Sequence, residues 1–176
     1  MADTVVERLQ RYLKANPSCR DVVDRTFRPC SPCSRQVIEA AERDLGFALP
    51  AVLRDIYLHV ANGGFGPGYG VMGVYGGFKD DLNHDIVEVY RIYTQGDPED
   101  SSWIWPRGWV PICHWGCIIY SVVDCLTSPH PVYFADISAK EAGTAMETIL
   151  HHHKPSLAQW LDDWMVGKDL WKEVWG

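Results

Sequence analysis

The stretch at residues 48–77, ALPAVLRDIYLHVANGGFGPGYGVMGVYGG, decides how the rest of the chain is read. Val52, Leu53, Ile56, Tyr57 and Val60 recur at helical spacing and define one apolar face. Pro50 suits the first helical position, where its missing N–H costs nothing. Asn62-Gly63-Gly64 stops the helix, because Asn and Gly tolerate the left-handed backbone that closes a helix C-terminus. Gly64, Gly66, Pro67, Gly68 and Gly70 then form a loop too rich in glycine to be helix, and the apolar run Val71 to Tyr75 predicts a short strand. A phosphate cradle would need strand, glycines and helix in that order. Here the order is reversed and no G-K-[ST] follows, so the glycines are read as a structural turn.

Upstream, Val5, Val6, Leu9, Tyr12 and Leu13 predict a first helix capped by Asp3 or Thr4 and ending near Asn16-Pro17. Residues 17–33 show no period and read as a linker. Ser34 caps a second helix with a stripe at Val37, Ile38, Ala41 and Leu45, stopped by Gly46. Downstream, Asp85-Ile-Val-Glu88 is a capping-box pattern opening a helix to about Thr94. Residues 96–108 are polar and turn-rich. Three strands follow: 109–113, pushed to a sheet edge by Pro111, the unbroken β-branched run 117–123, and 131–134. Their short links predict antiparallel pairing. Residues 138–150 read as weak helix broken at Gly143. Ser156-Leu-Ala-Gln159 is a second capping-box pattern, opening a helix with the stripe Leu157, Trp160, Leu161, Trp164 and Met165, ended by Gly167. The tail 168–176 reads as a flap or frayed end. The sum is an α+β fold in one domain over 1–176, a mainly antiparallel twisted sheet with helices mostly on one side.

The 176 residues are 47% hydrophobic and 22% charged, enough to bury a core. Net charge is −7, which argues against a general nucleic-acid binder and permits a partner with a basic face. The N-terminus lacks the apolar core of a secretory signal, and no run approaches a membrane span. The chain is therefore read as cytoplasmic, with its six cysteines as thiols.

Taken together, these segments resemble the SUKH superfamily, the family of the yeast Smi/Knr cell-wall-synthesis regulator and of many bacterial immunity proteins. The resemblance is carried by EAAERDLGFALP at 39–50, Leu53-Arg54, Ala61-Asn62-Gly63-Gly64, WVPICHWGCIIYSVVD at 109–124, PVYFAD at 131–136 and SLAQWLDDWM at 156–165. It runs from about Val37 to Met165. Many members carry an acidic, glycine-rich turn between the hairpin strands, where this chain has His114-Trp115-Gly116-Cys117. The resemblance implies a non-enzymatic binding module, with no cofactor and no catalytic residues to carry over. It implies a protein partner, in bacteria a toxin domain such as a nuclease or deaminase, and neither direct nucleic-acid nor membrane binding. The alternatives are a regulatory scaffold of the yeast type and a zinc or thiol protein.

The last alternative rests on Cys30-Ser-Pro-Cys33. Read as redox chemistry it needs a lowered thiol pKa. Read as zinc it supplies two ligands of four, with Cys113, His114, Cys117, Cys125 or His130 to complete the set. Structural thiols are the preferred reading. Cys117 with His114 and Asp124 would make a nucleophile site only if the strands brought them together. His151-His-His153 reads as a solvated loop before a metal site. Asp80, Asp81, Asp85 and Glu88 gather where a helix N-terminus favours acids. The surface expected to meet a partner is Asn62, Gly63, Gly64, Phe65, Tyr69, Asp80, Asp81, Trp109 and Trp115, in which the glycine loop and hairpin would bring aromatics to the rim of a cleft.

Overall fold

The computed structural model describes residues 3–176 other than 22. Met1 and Ala2, where the reading of a leaderless N-terminus begins, and Val22 in the 17–33 stretch lie outside the described residues. Six α-helices, a four-stranded antiparallel sheet and a two-stranded ribbon are found among them, so the class is α+β. Helix α1 is Val5–Ala15, opened by a reciprocal cap in which Thr4 accepts from the Glu7 amide and Glu7 accepts from the Thr4 amide. Helix α2, Arg35–Leu45, starts at Ser34 and stops at the left-handed Gly46. Helix α3 is Ala51–His59, and Pro50 sits one position earlier than expected, as its N-cap. Helix α4, Ile86–Thr94, carries the predicted Asp85/Glu88 box. Helix α5 is Leu157–Met165, where Ser156 caps the Gln159 amide; the Gln159 side chain donates to Asp163 and does not complete the box.

The main sheet runs in the order β3-β4-β5-β6, with β3 Trp109–His114, β4 Ile119–Asp124, β5 Val132–Asp136 and β6 Leu150–Lys154. Pro111 does lie on an edge strand, beside a bulge at Pro111/Cys113. One face carries Ser121, Val123 and Phe134, with Trp115 over Phe134 and donating to the Ser121 hydroxyl at 2.9 Å. On the other face Tyr120 meets Tyr93 of α4, which in turn meets Trp105. Farther along that face Trp109 stacks on Tyr133 at 4.0 Å, and both stay half-exposed.

Five expectations are corrected. The linker at 17–33 contains a two-stranded ribbon, β1 Cys19–Arg20 with β2 Thr26–Phe27. Its turn is shaped by Asp21, whose carboxylate accepts the amides of Val23 and Arg25 and the Arg25 guanidinium. The run Val71–Tyr75 makes one bridge, Val71 to Cys113, and no strand. Its backbone groups are taken elsewhere: Tyr57 donates to the Met72 carbonyl, and the Asn62 side chain takes the Val74 amide and reaches the Val74 and Tyr75 carbonyls. Residues 138–150 form two 3-10 turns, Ile137–Ala139 and Met146–Ile149, in place of a helix. The three histidines belong to β6, where His151 and His152 pair with Phe134 and Tyr133.

The tail is also packed. It contains the short helix α6, Lys172–Trp175, and Trp171 and Trp175 stack edge-on against Phe134. Lys154, at the end of β6, lies 2.5 Å from both Asp163 of α5 and Glu173 of α6. Among the described residues no helix is long and apolar enough to cross a membrane.

Candidate functional site

The expected partner surface divides in two. Asn62 is 2% exposed, Phe65 is fully buried and Trp115 is 7% exposed. These residues, with Gly63 and Gly64, build the frame beneath the glycine loop. A Cβ on Gly63 would stand 2.6 Å from the Gly73 nitrogen and 2.7 Å from the Val71 oxygen. The frame also holds the 28–33 segment: the Cys30 amide donates to Gly63 at 3.0 Å and the Cys33 amide to Tyr57 at 2.9 Å.

Tyr69, Asp80 and Asp81 come together. They line a cleft of about 270 Å³ with Asp21, Arg25, Thr26, Phe27, Phe78 and Lys79. The β1–β2 ribbon forms one wall, and the 78–81 segment forms another. Phe27 and Phe78 meet at 5.4 Å between ring centroids, close over Gly70, where a Cβ would strike the Phe27 ring at 2.8 Å. Trp109 is not in this cleft, since it stacks on Tyr133.

Asp80 and Asp81 have different surroundings. Asp80 is buried: one oxygen accepts the amides of Leu82 and His84, the other the Tyr120 hydroxyl at 3.1 Å. It holds the 80–84 turn onto β4. Asp81 stays at the surface, its side chain 44% exposed, with Oδ1 3.1 Å from Nδ1 of His114. Reading the sequence found Tyr69, Asp80 and Asp81 but missed Arg25, Phe27, Phe78 and His114. Arg25 and Phe27 lay in a stretch with no period. His114 was weighed as a partner for Cys117 and as a zinc ligand, not as a neighbour of Asp81.

His114 is 1% exposed, between the rings of Tyr69 at 5.4 Å and Tyr120 at 4.9 Å. Neither ring nitrogen has a hydrogen bond of acceptable direction among the described residues, despite the nearness of Asp81. Burial holds its pKa below the usual histidine value, against the pull of Asp81 and Asp80. Burial also lowers His153, opposed by its contact with Glu173. Each histidine binds a proton less readily folded than unfolded. Their contribution to stability is complete above the unfolded pKa of 6.5 and is lost as pH falls toward the folded values. Urea unfolding followed from about pH 7 to about pH 5 is expected to show stability falling, with a shallower slope in His114→Gln. The lowered carboxylates Asp163 and Glu173 lose their contributions only at lower pH, below their unfolded values of 3.8 and 4.5.

The thiol chemistry is not assembled. Burial raises the pKa of both Cys30 and Cys33, which disfavours the reactive thiolate. No group of three or more His, Cys, Asp or Glu among the described residues is placed to hold a metal ion. Cys117 is exposed in the β3–β4 turn. His114 pairs with Tyr120 while Asp124 pairs with Trp109, at the far end of the hairpin. Four strand steps between Tyr120 and Asp124 keep Asp124 roughly 13 Å from where a triad would need it.

Residues 32–163 match the model of the SMI1 / KNR4 family (SUKH-1). The chain belongs to that family. The match spans the second helix, the glycine frame, the β3–β5 meander and most of α5, the segments that carried the resemblance, so the SUKH-1 core is what holds the cleft's 78–81 wall in place. The ribbon at 19–27 and the helix α6 lie outside the matched SUKH-1 region. No curated protein matches this SUKH-1 chain.

Proposed function

We propose that this chain is a non-enzymatic protein-binding module of the immunity type, one that neutralises a bacterial toxin such as a nuclease or deaminase by binding it in the cytoplasm. Membership of SUKH-1, whose members act as binding modules, supports the general class. The observation that carries the finer reading is the cleft of Tyr69, Asp80 and Asp81, with aromatic walls and an excess of acid. A nuclease active site carries basic residues for its substrate, and an acidic surface complements it. The net charge of −7 adds long-range attraction to such a partner.

The test is capture of the chain's partner from its native lysate, followed by titration of the captured protein's activity. Expected is a partner with a toxin domain, inhibited to completion at one equivalent. A toxin partner whose activity is untouched by a large excess overturns the reading. Capture of several housekeeping proteins would favour the regulatory scaffold.

A further inference from the structure

We propose that the cleft between the β1–β2 ribbon and the 78–81 segment seats one arginine side chain of a partner protein, with Asp81 as the carboxylate that receives its guanidinium. The inference deepens the binding-module reading and rests on it. The charges of the cleft point to this ligand. Arg25 is neutralised by Asp21, at 2.6 Å. Lys79 lies 3.0 Å from Glu88 and also donates to the Asn83 carbonyl. Asp80 has its bonds filled by Tyr120 and two backbone amides. Asp81 is left as the carboxylate of the cleft with no lysine or arginine at ion-pair distance among the described residues, although the charge of Arg25 reaches it.

A buried residue behind Asp81, outside the cleft lining, gives an independent indication. His114 is buried with both ring nitrogens lacking a hydrogen bond, and its nearest acid is Asp81. A buried polar group without a partner is uncommon and costs stability. Here its Nδ1 lies against Oδ1 of Asp81, and Oδ2 has no partner among the described residues. A guanidinium bound to that carboxylate would fix its rotamer and let the imidazole N–H and Oδ1 align.

The walls favour arginine over lysine. Phe27, Phe78 and Tyr69 line the cleft. The chain's own Arg25 already lies over the Tyr69 ring, 5.2 Å from its centroid. A planar, weakly hydrated guanidinium stacks against such rings and forks onto a carboxylate, and an ammonium does neither as well.

The experiment is titration of the whole chain with N-acetyl-arginine amide at low salt, following the ring nitrogens of His114 and the amides of Tyr69 and Asp81 by NMR. The neutral isostere N-acetyl-citrulline amide is the comparison. Saturable shifts at those positions are expected, with citrulline binding about tenfold weaker or worse. Asp81→Asn should weaken the arginine amide by about tenfold while the spectrum stays dispersed, and Asp55→Asn, an exposed acid on α3, should not. Equal binding of citrulline, unchanged binding to Asp81→Asn, or the same loss in Asp55→Asn overturns the proposal. The probe contains no toxin, so a failed neutralisation assay would leave this result standing. A failed titration would leave neutralisation to another face.

Discussion

Gly64→Ala is expected to lower stability by about 3–4 kcal/mol, and Gly46→Ala by only about 1 kcal/mol. Both glycines have φ +81°, so the cost of the left-handed backbone is shared. They differ in the space around them. Nothing lies within 4 Å of a Cβ on Gly46. On Gly64 the Cβ would fall on the Arg28 carbonyl oxygen and crowd the Cys30 nitrogen at 3.1 Å. Those atoms are backbone and cannot swing aside. Relief would require moving the 28–33 segment off the frame and breaking the Cys30 to Gly63 hydrogen bond. Paired urea melts give the steric part as the difference between the two variants. Equal losses would show that the close approach at Gly64 is absent.

Asp163→Ala should cost about 3 kcal/mol, a large effect for one exchange, because it strands a buried cation. Asp163 accepts from Lys154 at 2.5 Å, from Lys168 at 2.8 Å and from Gln159 at 2.7 Å. Burial alone would raise its pKa, but these donors outweigh burial and hold it at about 2. Without the carboxylate, Lys154 keeps only Glu173, which is itself on the short α6. The wild-type contribution should persist down to about pH 4 and vanish as pH falls through the folded value near 2. The check is the urea midpoint of the variant at neutral pH. A loss under about 1 kcal/mol would mark the site as no better than a surface ion pair.

Four of the five longer helices were legible because their starts are announced: Thr4, Ser34, Asp85 and Ser156 cap amides one turn ahead, and Gly46 closes α2. Helix α3 has no side-chain cap and was legible from its apolar face, Pro50 and the Asn62-Gly63-Gly64 stop. The β3–β5 meander was legible from β-branched runs with short links. What escaped was structure set by distant partners. The ribbon at 19–27 has two residues per strand, too few to show alternation. The apolar run after Gly70 looks like a strand, but its carbonyls and amides answer to Tyr57, Phe65 and Asn62. Histidine has no preference that would announce β6, which forms because Tyr133 and Phe134 offer it an edge. The candidate site was half legible for the same reason. Tyr69, Asp80 and Asp81 stand near glycine and turn signals, whereas Arg25 arrives through the Asx turn of Asp21, and His114 through the register of β3 against β4.

The way the glycine loop meets β3 limits how this sheet can grow. The Tyr69 and Met72 amides donate to the carbonyls of His114 and Ile112, and Val71 bridges Cys113. The loop thus fills the hydrogen-bonding positions where another chain would add a strand to β3. Among the described residues β6 remains as the sheet's other outer strand, and it is bulged at His153, opposite Val132 and Tyr133 of β5. Runaway sheet polymerisation needs a donor edge and an acceptor edge on every molecule. A subunit with one usable edge can join a single neighbour and then terminates the stack, so the loop that frames the cleft also protects the folded chain from assembling into fibres.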